Sequence, residues 1–539
     1  MKKAALATLV LLAGTLAGAA GEGAPGAELG RVDFPTSGAP AAQEHFLRGV
    51  LWLHSFEYGD ARAAFKKAQE LDPGFALAYW GEAMTYNHPL WSEQEREAAR
   101  AALAKLAPTP EERLAKAPTV REKGFLRAVE VLYGEGDKPG RDRAYAEVMQ
   151  QLSEQYPEDL EAASFYALAV LGSVGERDFA TYMRAAAVAD GVFAKNSHHP
   201  GAAHYLIHSY DDPIHAPLGL RAARVYAQIA PAAVHALHMP AHIFLALGMW
   251  EDMAASNEAS WEASLVRGGA SYHALHWLEY AYLQQGRYRE ARRLLERMEA
   301  DTRANPAGYT GWHWAAMRAA YLVETRRWDD PALRVELDLS KAREIAAPGA
   351  DLFARGLAAL KSGKRAEAEK ALAEMKSLRS EAAAALDTHA GHAHWSSQVS
   401  PAGLKTVAIL EQELEALLNL ADGRTAEAIR RLQEAAAAEE AMSFDFGPPA
   451  IVKPTHELLG EVLLEQGQAQ EAQRAFERAL ERAPRRVLSL LGLARAAKQA
   501  GDVEASERAY AELRQIWKRA DTELPELAEI RSPATRAGQ

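Results

Sequence analysis

One spacing constrains this chain more than any other: Gly49, Ala61, Phe65, Ala68 and Pro73 are matched step for step by Gly460, Ala472, Phe476, Ala479 and Pro484. Small residues let two helices approach, an aromatic ring packs between them, and a proline ends the second helix. A glycine followed five residues later by alanine marks the turn into a second helix at Gly286 and Ala291, Gly363 and Ala368, Gly423 and Ala428, and Gly467 and Ala472. Between these points run amphipathic stretches rich in Ala, Leu, Glu and Arg, such as Glu457 to Arg482, while period-2 β-branched runs are almost absent. The prediction is an all-α chain of helix hairpins with essentially no sheet.

The pattern resembles the tetratricopeptide repeat, whose hairpins stack into an α-solenoid with the first helices lining a concave side. Successive marker alanines stand 77, 60 and 44 residues apart from Ala291 to Ala472. All three gaps exceed a repeat of roughly 34 residues, so irregular insertions interrupt the array.

The first residues have the layout of an export leader: Lys2 and Lys3, an apolar run from Ala4 to about Leu16, then small residues to Ala20. The run is too short for a membrane anchor, and the expected location is periplasmic or secreted. The division expected is 1–20 leader, 21–40 flexible arm, 41–135 N-terminal repeat-like helices and 136–315 His-rich helices. It continues with 316–443 further repeat-like helices carrying a His-rich loop at 388–401, 444–454 linker, 455–520 C-terminal repeat pair and 521–539 loose tail.

Among 539 residues there is no cysteine, which rules out thiolate metal sites, disulfides and covalent c-type haem attachment. A formal charge of −12 argues against nucleic acid or an anionic membrane surface as partner. A protein, a peptide, a small molecule or a metal remains. Paired carboxylates along the helices read as solvated faces.

Eleven of the eighteen histidines fall between His198 and His313, about a fifth of the chain. His204 and His208 are four apart on a segment that Pro200 starts and Asp211-Asp212-Pro213 ends, so both rings project from one helix face, as when a helix supplies two metal ligands. Asp211 or Asp212 offers an oxygen. His235, His238 and His242 have spacings of three and four, but Pro240 disfavours helix at Met239 and sets the common face in doubt. The pair His273 and His276 precedes Trp277. His313 lies between two tryptophans, and His389, His392 and His394 form a loop trio read as exposed. His45, His54 and His456 read as packing residues. Most tryptophans read as core, with Asn87, His88 and Trp91 the exception because polar and aromatic groups bunch there. No phosphate loop, dinucleotide fingerprint or nucleophile elbow is present, and His456-Glu457 lacks the second histidine of a zinc-protease helix because Gly460 stands in its place.

Three blocks are similar to a subgroup of exported bacterial tetratricopeptide proteins: AYWGEAMTYNHPLW at Ala78 to Trp91, HPGAAHYLIHSYDDP at His199 to Pro213 and HALHMPAHIFLALGMW at His235 to Trp250. The resemblance implies a common site at Asn87, His88, Trp91, His204, His208, Asp211, His238 and His242.

Two functions follow as expectations. One is a binding or scaffold protein whose concave groove holds a protein, peptide or small molecule on a polar lining that includes Tyr205, Asp211, Asp212, His276 and Trp277. The other is a metal-dependent enzyme or metal carrier, with His204, His208, His238 and His242 ligating zinc, copper or iron and Asp212, Tyr205 or His276 as acid or base. Non-covalent bis-histidine haem binding is a third and weaker reading.

Overall fold

The structure, a computed structural model, describes residues 27–531 apart from 176, 307–308, 340–343, 390–399 and 445. The expected leader, His392, His394 and the side chain of His389 lie outside the described residues. Among those described, helix follows helix from Pro40–His54 to Glu526–Arg531. The only strands among the described residues are the two-residue pair Asn87–His88 and Glu93–Gln94, antiparallel with Asn87 opposite Gln94. The chain is an all-α solenoid of tetratricopeptide-type hairpins.

The duplicated spacing has a mechanical cause. Phe65, on Tyr58–Leu71, is fully buried between Gly49 of Pro40–His54 and Gly81 of Ala76–Met84. A Cβ on Gly49 would stand 2.7 Å from its ring, and one on Gly81 2.4 Å. Phe476, on Ala469–Arg482, is gripped the same way by Gly460 and Gly492, where the distances would be 2.9 and 2.2 Å. Gly492→Ala is therefore expected to destabilise the protein by about 1–3 kcal/mol through overpacking. Thermal unfolding checks this, and an unchanged midpoint would show that Phe476 moves aside freely. At the hairpin turns Gly286, Gly363, Gly423 and Gly467 adopt φ of 68°, 73°, 76° and 74°, the left-handed region that a side chain disfavours.

The irregular gaps hold identifiable structure. Between Ala291 and Ala368 the chain adds Thr310–Thr325 and a segment with the 3₁₀ turn Pro331–Arg334; between Ala368 and Ala428 run the long helices Arg365–His389 and Pro401–Ala421. The prolines from Lys105 to Thr119 interrupt the chain only briefly, since Thr109 and Thr119 each form a capping box that starts a new helix.

Four expectations about the periphery and surface are corrected. The arm before the first helix is docked: Phe34 is buried with ring centroids 5.2 Å from Phe46 and 4.9 Å from Phe125, and the Arg31 amide donates to the His198 carbonyl. The linker at 444–454 ends in packed core, with Ile451, Val452 and Lys453 buried and Gly447 against Trp277, while Phe446 stays exposed. The tail forms Glu526–Arg531 and buries Leu524, Leu527 and Ile530. In each case a few apolar residues set in a polar stretch find a groove that only the assembled helices provide. Not all helix carboxylates are solvated either, since Glu161, Glu279, Glu413 and Glu457 are fully buried.

Most helices pack on their neighbours in sequence, yet the solenoid also comes round on itself. The Trp250 indole N–H donates to the Arg485 carbonyl at 3.0 Å, and the Trp517 indole to the Gln284 carbonyl at 2.9 Å. The C-terminal repeats thus rest on Trp250–Val266 and Tyr272–Gln284. On the other side, His54 at the end of the first helix bonds Tyr205 of Pro200–Ser209. The His-rich helices are enclosed between these two contacts. No helix among the described residues is long and apolar enough to cross a membrane.

Candidate metal centre

Pro200–Ser209 starts on Pro200 and is capped by His199, whose Nδ1 accepts the Ala202 amide. Every residue of this helix is buried, so His204 and His208 project together into protein rather than solvent. The second block forms Val234–His238 and Pro240–Ala246. Met239 between them keeps right-handed helical angles, φ −54° and ψ −36°, and donates to the His235 carbonyl. Pro240 therefore interrupts the hydrogen bonding without turning the chain, and the doubt it raised about a common face is resolved in favour of that face: His235 and His238 are 6.1 Å apart between ring centroids, His238 and His242 5.1 Å. Tyr272–Gln284 brings His273 to 4.6 Å from His238, and Trp277 to 4.4 Å from His242.

Two groups of three imidazoles result, His204 with His208 and His235, and His238 with His242 and His273, and within each group the ring nitrogens lie within 4.8 Å of one another. In the first, His204 Nε2 is 3.1 Å from His208 Nε2 and 3.2 Å from His235 Nε2. In the second, His238 Nε2 is 3.2 Å from His242 Nε2. Two nitrogens bound tetrahedrally to one zinc-sized ion at ~2.0–2.1 Å stand about 3.4 Å apart, so these three pairs are already near ligand spacing.

The opposite ring nitrogens set the tautomers. His204 Nδ1 donates to the His54 carbonyl at 2.7 Å. His238 Nδ1 donates to Asn257 Oδ1 at 2.7 Å, and the Asn257 amide is oriented by its own bond to the Met253 carbonyl. His242 Nδ1 donates to Asp211 Oδ2 at 2.6 Å. Each proton sits on Nδ1, so each Nε2 presents a lone pair inward, the orientation that outer carboxylates and carbonyls impose on metal-ligating histidines. Burial pushes the His204 and His238 rings down to about 3, and burial with neighbouring imidazoles pushes His208 and His235 well down. Phe56 closes the first group from above, 4.3 Å from His204 and stacked on His235 at 5.6 Å, and it does so with φ of 55°, a strained value for a bulky residue.

A third set, His54, Glu161 and His199, also has ligand spacing but is built differently. His199 Nε2 donates to Glu161 Oε1 at 3.0 Å, His54 Nε2 to Glu161 Oε2 at 2.8 Å, and the Tyr205 hydroxyl donates to His54 Nδ1. Burial would raise the Glu161 carboxyl, but His199 and His54 outweigh it and hold it at about 2. Every polar atom has its partner, so this set is a buried hydrogen-bond network that fixes the carbonyl behind His204. The packing role assigned to His54 agrees with this.

The other candidates separate. Asp211 orients His242 and does not face the gap. Asp212 accepts from the Ile214 and His215 amides and pairs with Arg177 at 2.8 Å, ending the helix rather than offering a ligand oxygen. Tyr205 is buried behind His54 and is no acid or base for the site. Trp91 reaches the rim, exposed and 6.1 Å from His235. His88 stacks on Tyr58 at 4.0 Å, and Asn87 Oδ1 is taken by Gln94. His276 pairs with His313, Nδ1 to Nδ1 at 3.3 Å, one step beyond the second group. The four histidines proposed as one ligand set are thus divided two and two. The set lacked His235, which its spacing signalled, and His273, which was singled out only as a pair with His276 beside Trp277.

Residues 463–525 match the tetratricopeptide repeat family. Similar solved structures include the human IFIT1 dimer with m7Gppp-AAAA, 14% identical over 91% of this chain and 92% of that one with a TM-score of 0.38. The human IFIT1 dimer with PPP-AAAA is 14% identical over 89% and 91%, with a TM-score of 0.36. No curated protein matches the chain.

Proposed function

We propose that this chain is an exported binding protein of the tetratricopeptide class whose central histidines hold a transition metal. The observation that carries the reading is the pair His238 and His242: both Nδ1 protons are committed outward, so two bare lone pairs face each other at 3.2 Å. Neutral imidazoles in that arrangement repel, and the gap calls for a cation, either a proton shared by the rings or a metal ion. Burial opposes the proton on His238. An all-imidazole donor set without cysteine suits zinc, copper or iron. The Lys2-Lys3 leader supports export.

Elemental analysis of untagged protein tests the metal reading, beside the double variant His204→Ala, His242→Ala. Tightly held transition metal in the parent and its loss in the variant are expected. Parent protein that retains none after incubation with zinc, copper or iron salts would overturn the reading and leave a proton in the gap. Export is checked by the N-terminus of the secreted protein, expected near residue 21.

A further inference from the structure

The two imidazole groups are in contact with each other. His208 of the first lies 5.6 Å from His242 of the second between ring centroids, and His235 lies 6.1 Å from His238. His235 and His238 belong to one helical turn but to different groups, so the same backbone segment supplies both. The charge balance is one-sided. Neither group contains a carboxylate: Asp211 reaches only His242 Nδ1, and Glu57 accepts the His235 backbone amide at 3.0 Å. Two divalent ions would bring four positive charges into a pocket walled by Phe56 and Trp277, more than Asp211 and Glu57 together offset. Uncompensated charge in such surroundings is costly, so the ions need an anion with them. Three ligands per ion leave a position open for it. Access is from the rim, where His273 is exposed and His235 half-buried beside Trp91.

We infer that the two three-histidine groups form one paired-metal centre that takes two divalent transition ions, copper most strongly, together with a small bridging anion such as hydroxide or azide. The inference rests on the metal reading above and goes beyond it in stoichiometry, coupling and ligand class. Copper is the ion of choice because nitrogen sites bind it most tightly among first-row divalent metals.

The test uses the full untagged chain, stripped of metal and titrated with copper(II). Copper is counted after gel filtration, and the unpaired spins are integrated by electron paramagnetic resonance with and without sodium azide. Two coppers per chain are expected, with an integrated signal far below two spins and an azide absorption band that saturates at one azide per chain. His273→Ala, at the exposed rim where the fold tolerates the change, is expected to hold one copper with a full one-spin signal, with circular dichroism as the check on folding. One copper in the parent, two coppers giving two full spins indifferent to azide, or two coppers retained by a folded His273→Ala would each overturn the pair while leaving a metal site. No copper retained would overturn the pair, and no zinc or iron retained either would overturn the metal reading with it.

Discussion

Arg486→Met is expected to remove about 3–5 kcal/mol of folding stability, because it deletes one partner of a buried ion network. Arg486 caps the start of Val487–Ala500 and is wholly inaccessible. Its Nε and Nη2 donate to Glu457 of Thr455–Glu465 at 2.8 and 3.2 Å, and its Nη1 donates to the Tyr280 hydroxyl at 2.8 Å and pairs with Glu324 at 2.5 Å. One guanidinium thereby ties the C-terminal repeats to Tyr272–Gln284 and Thr310–Thr325. Methionine fills similar space, so the loss would come from the stranded acids rather than from a cavity. Glu457 retains Lys453 and Ser489 at 3.0 and 2.5 Å, whereas Glu324 has no such substitute among the described residues. Adding Glu324→Gln to the variant should recover part of the loss. Equilibrium urea unfolding reads both, and a loss under 1 kcal/mol would show that the network is not what joins the two parts.

Glu279→Gln should have the opposite sign and a strong pH dependence. Both Glu279 carboxyl oxygens are buried without a hydrogen-bond partner among the described residues. Burial, helped by the nearby Glu324, pushes its pKa well above the ordinary 4.5. The folded protein then keeps a proton that the unfolded chain has released, so stability contributed at this position is present below pH 4.5 and lost as pH rises toward the folded value. The loss runs at about 1.4 kcal/mol per pH unit across that window. Glutamine does not titrate. The unfolding curves of parent and variant should nearly coincide at pH 4.5, with the variant progressively more stable toward pH 8. A constant difference between the two would mean that Glu279 is ionised in the folded state and has found a partner.

The candidate site was partly legible before the fold. Four of the six grouped imidazoles, His204, His208, His238 and His242, follow from helical spacing alone, since i and i+4 share a face whatever the helix packs against. Pro240 misled because its local preference against helix at Met239 is overridden by the packing around it. Asp212 and Tyr205 were drawn to the site by proximity in sequence, but a helix end and a helix face aim their side chains elsewhere. Asp211, one residue before Asp212, does serve the site, through His242 rather than as a ligand.

What the amino-acid order determined by itself is everything that depends on neighbours along the chain. It dictates helices instead of strands, turns where glycine permits a positive φ, and a phenylalanine at a fixed distance from the glycine that makes room for it. Only the tertiary structure decided which histidines belong together, because His273 lies 31 residues beyond His242 in number and reaches His238 solely through the stacking of Tyr272–Gln284 on the preceding helices. It also decided which carboxylates are buried and which segments dock. Periodicity shows the face a residue occupies, whereas its environment is made by helices from other parts of the chain, and charge and coordination respond to that environment.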